Sequence, residues 1–273
     1  MKRILLALFV VLVITPTKAQ VGNIVRDTIL GVPCQVYLPL HAANQPDKKW
    51  PVLYLQHGMF GSEDDWAVQG HLLHWLDSLL QQKAIEERII IMPDNFLGSI
   101  EPAERAELMA KPNISPNGET FDVSKGSAHW RKLTTEQERA YETSGYWEAH
   151  FDQFMAEVER KYPVTNNPNQ RAIAGLSMGG YHTMRVSSVL KGQFAYIGMF
   201  SAATFVHQAD PNAKLLWIGM GKEDFLYEPL QSYRQWLDAN GIKYTYYESE
   251  GGHTWPNWQD YLCRFLQAIH ACR

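Results

Sequence analysis

"AGLSMGGYH", residues 174–182, sets a serine between Gly175 and the pair Gly179-Gly180, at a joint between two kinds of sequence. Upstream, Arg171-Ala172-Ile173-Ala174 reads as a short buried strand, and downstream Tyr181 to Leu190 reads as a helix. A serine at such a joint is either turn punctuation or a nucleophile. The segments on either side decide which.

Working outward, "IVRDTILG" and "PCQVYLPL" alternate apolar and polar residues about Gly31, the pattern of an antiparallel hairpin. "PVLYLQHG" and "RIIIMPD" are continuous apolar runs, the look of central parallel strands covered on both faces. Further strands are predicted at 171–175, 196–200, 214–220 and in "KYTYYES". Helices are predicted near 69–82, 151–162, 178–190, 226–239 and 258–270. Strands alternating with helices imply a doubly wound, mostly parallel sheet. About 250 residues suit one such domain. The segment from 97 to 145 breaks the rhythm. It is polar, its apolar residues are scattered, and "AKPNISPNGETFDVSKGSAHW" has the turn chemistry of a loop, so it reads as a lid over a site or a surface excursion. Asn113-Ile114-Ser115 matches a glycosylation sequon too short to carry weight.

The first 19 residues have the form of a signal peptide: Lys2 and Arg3, an apolar core from Ile4 to Ile14, and a small-residue exit at Thr17-Lys18-Ala19. The expected mature chain is 20–273, exported and without stable membrane insertion. The residue directly after the proposed cut is Gln20 rather than a cysteine, which argues against a lipid anchor. Loss of Lys2, Arg3 and Lys18 leaves 22 basic against 29 acidic residues, a net charge of −7. That balance argues against nucleic acid and anionic membrane surfaces as partners. Oligomeric state is not legible. Export permits a disulfide among Cys34, Cys263 and Cys272, with at least one left unpaired. No Cys/His spacing suits zinc; His71 and His74 lie three apart but read as helix histidines rather than ligands, so no metal is expected.

Gly175-Leu176-Ser177-Met178-Gly179 is G-x-S-x-G between a strand and a helix, the nucleophile elbow of α/β-hydrolases. A sharp strand-to-helix turn strains the serine backbone and leaves no room for bulk at the flanking positions. The helix N-terminus behind it favours developing negative charge. A serine hydroxyl needs a base, and this fold orders its triad Ser, acid, His. His253, in "SEGGHTW" just past a strand, is the expected base; His207 and His270 are the other histidines beyond the serine's helix. Asp224, in "GMGKEDFLY", is the expected acid, with Asp210 and Glu223 as competitors. Acyl transfer also needs oxyanion donors, each worth about 3 kcal/mol of barrier. The amides of Met178 and of Met59, in "LQHGMFGSEDDW", fit that need. His57 reads as a buried brace for the Met59 loop. Phe60, Trp66, Trp255 and Trp258 lie in or beside these loops; each reads either as ordinary packing around the loop bases or as a face to stack on a phenolic acid or a sugar, with Trp255 having the best claim to the second.

"PVLYLQHG", "RAIAGLSMGGYHTM", "FSAA", "GKEDFLY" and "GGHTWPNWQDYLCRFL" together resemble the esterase D-like family of α/β-hydrolases, over about residues 23 to 270. The closest likeness is to its feruloyl esterase and acetylxylan esterase branch. Segment 97–145 is longer and more polar than that family's core. The resemblance implies Ser177, Asp224 and His253 as triad, Met59 and Met178 as oxyanion amides, and no cofactor. It implies a serine ester hydrolase acting on feruloyl or acetyl esters of plant cell-wall polysaccharide. The same triad would serve a general short-acyl esterase or an acyltransferase to a sugar. A carbohydrate-binding domain without catalysis is the remaining reading, and the intact Ser, Asp, His order opposes it.

Overall fold

The strand before the serine, β5 (Arg171–Leu176), is buried at all six positions and so needs a partner on each edge and cover on each face. In the computed structural model, which describes residues 22–45, 47–110, 133–204 and 206–272, it has both. β3 (Val52–Gln56) and β6 (Tyr196–Phe200) flank it in parallel, with Ile173 opposite Tyr54 on one side and Ile197 on the other. β4 (Ile89–Pro93), β7 (Leu215–Gly221) and β8 (Thr245–Ser249) extend the parallel set. The hairpin of β1 (Gly22–Ile29) and β2 (Val32–Pro39) adds antiparallel at the β4 edge, giving the eight-stranded order β1-β2-β4-β3-β5-β6-β7-β8.

Successive strand residues point to opposite faces, and the two cores follow that alternation. Val52, Tyr54 and Ile173 join the core under α6 (Tyr146–Lys161), α7 (Met178–Val189) and α8 (Tyr227–Ala239). Leu53, Leu55, Ala172 and Ala174 join the core under α1 (Asp65–Val68), α2 (Leu72–Gln81) and α9 (Trp255–Ala271). On the first face Tyr54 meets Phe151 and Phe154 edge-on, with ring centroids 5.3 and 6.4 Å apart. The last helix starts three residues before the sequence pattern suggests, because Pro256 stands in its first turn, where a missing N–H costs nothing.

Where segment 97–145 is described it is largely helical, and the 110–130 stretch that reads as a loop lies, from residue 111 on, outside the described residues. The segment contains the end of α3 (Asn95–Gly98), α4 (Pro102–Ala110) and α5 (Thr135–Glu142). α5 begins in a capping box: Thr134 Oγ1 accepts the Gln137 amide and Gln137 Oε1 accepts the Thr134 amide. Its scattered apolar residues converge in space, Phe96, Leu97 and Ile100 forming a small core with Leu108, Leu133 and Tyr141. The leader at 1–19, residues 111–132 and with them the 113–115 sequon lie outside the described residues.

The three cysteines are free thiols, Cys34 buried, Cys263 half-buried and Cys272 exposed. The last two stand nine residues apart along α9, about 13 Å of helical rise, beyond the reach of a disulfide. Among the described residues no helix is long and apolar enough to cross a membrane.

Phe154 is buried against Tyr54 and Trp147 away from the strand ends that carry the serine. Phe154→Ala is expected to lower the unfolding free energy by about 3–5 kcal/mol, read by urea titration with the m-value unchanged.

Candidate active site

Turns after β5, β7 and β8 bring Ser177, Asp224 and His253 together. Ser177 has φ 52° and ψ −118°, outside the regions open to most side chains. Its amide is held by the Phe200 carbonyl at 2.8 Å, and its carbonyl accepts the amides of Gly180 and Tyr181 at 3.0 and 3.1 Å. The turn requires close backbone approach. A Cβ on Gly175 would lie 2.4 Å from the Gly179 carbonyl, and one on Gly179 only 2.3 Å from the His57 carbonyl oxygen. The surrounding structure thus imposes a serine conformation that costs on the order of 1–3 kcal/mol. Ser177 Oγ is thereby placed 2.9 Å from His253 Nε2.

His253 Nδ1 lies 3.0 and 2.9 Å from the two carboxylate oxygens of Asp224. A ring that donates from Nδ1 to a carboxylate presents an unprotonated Nε2, able to accept the serine proton. The two loops are joined by backbone: the Lys222 amide donates to the Ser249 carbonyl at 2.9 Å, and Glu223 to Gly251 at 3.0 Å. Burial of the Asp224 carboxyl pushes its pKa up. The hydrogen bonds from His253 and from the Leu226 amide, the latter 2.9 Å long, outweigh burial and hold it below the usual carboxylate range. Phe225 lies over the imidazole with centroids 4.5 Å apart, and Trp258 meets it edge-on at 5.0 Å.

The rival residues lie elsewhere. Asp210 is tied to the Gly192 and Asn212 amides at 2.6 and 2.9 Å. Glu223 and His270 are exposed, and His207 sits against α8 beside Ser232 and Trp236.

Met59 and Met178 line the same cavity as Ser177. Met178 opens α7, where a helix leaves its first amides without internal acceptors. Among the described residues neither amide has a hydrogen-bond acceptor. The Met59 loop presses on the serine: a Cβ on Gly58 would stand 3.3 Å from Ser177 Cβ. His57, 1% exposed, braces this loop. Its Nδ1 donates to the Gly58 carbonyl at 2.7 Å, its Nε2 accepts the Asn95 amide at 3.1 Å, and its own amide donates to Asn95 Oδ1 at 3.0 Å. Both ring nitrogens are therefore engaged. Asn95 was not singled out from the sequence, where it is only the second residue past an apolar strand. Arg26 on β1 anchors the far end of the same loop, reaching Asp64 at 2.7 Å and Glu63 at 3.3 Å.

The serine opens into a cavity of about 550 Å³. Phe60, 63% exposed, and Phe225, 70% exposed, stand at its mouth. Trp66 does not reach it. The indole is 1% exposed, its N–H donates to the Gln56 carbonyl at 3.0 Å, and its ring packs edge-on against Phe200 and Trp255. The candidate stacking role of Trp66 is thus corrected to a packing role, because α1 turns the side chain under the sheet. Trp255 is half-buried between Trp66 and Trp258 and is not among the residues lining the cavity. Six lining residues were not singled out: Phe225 and Leu226, which simply follow Asp224, Tyr181 on the serine's own helix, Ala203 past β6, and Arg139 and Thr143, which arrive from the 97–145 segment.

A mostly parallel sheet of this order, its strained serine turn following the central strand β5 and its acid and histidine following β7 and β8, is an α/β-hydrolase. Residues 31–269 match the model of the Esterase family ("Putative esterase"), and the chain belongs to that family. An endo-1,4-beta-xylanase/feruloyl esterase of Xylanibacter ruminicola is 27% identical over 241 residues, which are 86% of this chain and 28% of that protein. An acetyl esterase of Caldicellulosiruptor saccharolyticus is 24% identical over 150 residues, 39% of this chain and 56% of its own length. This chain thus spans less than two thirds of either relative. In fold it is similar to a ferulic acid esterase of Anaeromyces mucronatus solved with ferulic acid, at TM-score 0.68 and 18% identity, covering 92% of this chain and 91% of the other.

Two outcomes are expected. Labelling by a fluorophosphonate is abolished in Ser177→Ala and slowed at least about 10³-fold in Asp224→Asn, read by intact mass over time. The second is a pH effect on stability. The folded pKa of Asp224 is depressed, so its contribution is complete above the ordinary carboxylate value and is lost as pH falls through the folded pKa. Wild-type unfolding free energy is therefore expected to fall more than that of Asp224→Asn as pH drops below about 4.

Proposed function

We propose that the chain is an exported serine carboxylic-ester hydrolase that cleaves feruloyl or acetyl esters on plant cell-wall polysaccharide. The observation that carries the chemistry is the hydrogen-bonded line Ser177 Oγ to His253 Nε2, 2.9 Å, and His253 Nδ1 to Asp224, 2.9 Å, opening into the cavity. Ser177 Oγ attacks the ester carbonyl carbon while His253 Nε2 takes the hydroxyl proton. The carbonyl oxygen becomes an oxyanion held by the Met59 and Met178 amides. Collapse of the tetrahedral species breaks the bond to the alcohol oxygen, and His253 returns the proton to that leaving group. A water then gives its proton to His253 and attacks the acyl-enzyme. The acid departs and Ser177 regains its hydrogen. Asp224 orients the ring throughout and offsets its positive charge. The step uses no cofactor.

The substrate class draws support from two sources. Phe60 and Phe225 expose aromatic faces at the mouth of the cavity, where a planar phenolic acyl group can stack. The relatives named above include a feruloyl esterase and an acetyl esterase. Export rests on the leader-like first 19 residues.

The test compares kcat/KM for methyl ferulate and for p-nitrophenyl acetate, using purified protein and its Ser177→Ala variant. Ferulate turnover that disappears in the variant is the expected result. Turnover of acetate alone would replace this reading by a short-acyl esterase, and turnover of neither would remove the hydrolase.

A further inference from the structure

Of the described residues that line the cavity, Arg139 alone carries a permanent charge. It sits on α5, in the segment that departs from the parallel-sheet rhythm, and faces the same space as Ser177. Thr143 lines the cavity too, four residues on and so on the same side of the helix. The position is built: a capping box opens α5, the Thr143 hydroxyl donates to the Arg139 carbonyl at 2.8 Å at its end, and Tyr141 meets Phe96 edge-on at 6.3 Å. The neighbouring acids Glu138 and Glu142 are buried, and Arg139 is exposed with no ion pair among the described residues. Arg185 on α7 makes the contrast, its guanidinium held by Glu148 at 3.1 Å and donating to the Tyr181 hydroxyl at 2.8 Å.

A guanidinium keeps its charge at any working pH and presents a planar fork of donors that matches a carboxylate. In a chain of net charge −4 it is not part of a general basic surface. A cavity of about 550 Å³ holds an acyl group and the unit attached to it, not a polymer. The rest of a polymeric alcohol must cross the exposed rim, and the rim is where Arg139 stands.

We propose that Arg139 is a specificity residue that recognises a carboxylate on the alcohol side of the ester, so that the preferred substrates are esters of uronate-bearing saccharides over neutral ones. The assignment rests on the ester-hydrolase reading above. Arg139 acts on binding and takes no part in bond-making.

The experiment uses two pairs of probes with wild type, Arg139→Gln and Arg139→Lys. One pair is 4-acetoxybenzoate and its methyl ester, which differ by a carboxylate on the alcohol side. The other is mono-4-nitrophenyl succinate and 4-nitrophenyl butyrate, which differ on the acyl side. Taking the anion-to-neutral ratio of kcat/KM cancels the intrinsic reactivity of each pair when variants are compared. For the first pair the ratio is expected to fall about fivefold in Arg139→Gln, with the change in KM. It should be partly kept in Arg139→Lys, and in wild type it should shrink as salt rises from 10 to 500 mM. A ratio equal in wild type and Arg139→Gln would overturn the assignment, as would a change confined to the acyl-side pair. Ser177-dependent turnover of the neutral esters with an unchanged ratio would sink this inference alone. Absence of turnover of all four would remove the hydrolase reading on which it rests.

Discussion

The structure turns on how closely three pieces of backbone approach one another at the end of the central strand. The Ser177 turn, the start of α7 and the end of β3 meet at Gly179, where a single Cβ would fall 2.3 Å from the His57 carbonyl oxygen. That approach does two things at once. It holds Ser177 at φ 52°, which lifts its hydroxyl clear of strand and helix. It also sets the Met59 loop against the serine, so two amides that have no acceptor among the described residues belong to residues lining the same cavity as Ser177. The strained serine and the two amides are thus parts of one packing arrangement, and glycine at 175 and 179 is its steric condition.

Rigidity elsewhere serves the same point. Asp224 and His253 stand on separate loops, yet backbone bonds from Lys222 and Glu223 to the β8 loop tie the two together. Asp224 is stable as a buried anion because it accepts from both His253 and the Leu226 amide, which outweighs its burial. On the other side, His57 uses both ring nitrogens and its amide to bind its own loop to Asn95. A histidine beside a nucleophile invites a chemical role. Here its hydrogen bonds are all spent on position.

The 97–145 segment adds to the sheet scaffold what the scaffold lacks, a polar wall. The loops after β3 and β7 contribute Phe60 and Phe225 to the cavity, and the helix α5 contributes Arg139 and Thr143. Ser177, Asp224 and His253 stand at the sheet ends, whereas Arg139 and Thr143 come from a segment outside the parallel-sheet scaffold, the kind of position a fold can vary without disturbing its frame.

Much of this was legible in the residues. Apolar runs at 51–56, 89–93 and 196–200 announce covered parallel strands, because a strand buried on both faces has no polar alternation to show. G-x-S-x-G between strand and helix, followed in order by an aspartate and a histidine each just past a strand, marks the elbow and its partners by local pattern alone. What the sequence could not hold is distance between loops far apart in the chain. Trp66 and Phe60 stand six residues apart beside the same strand, yet one is buried under the sheet and the other opens onto the cavity, because a four-residue helix turns the first inward. Asn95 becomes a brace only when β4 lies next to β3. Arg139 carries no signal at all in a polar stretch. It becomes part of the site because Phe96, Ile100 and Tyr141, scattered along the chain without a single period, gather into one small core and bring its helix to the cavity. Local periodicity determined the strands and the elbow, and packing between distant segments decided which side chains face the serine.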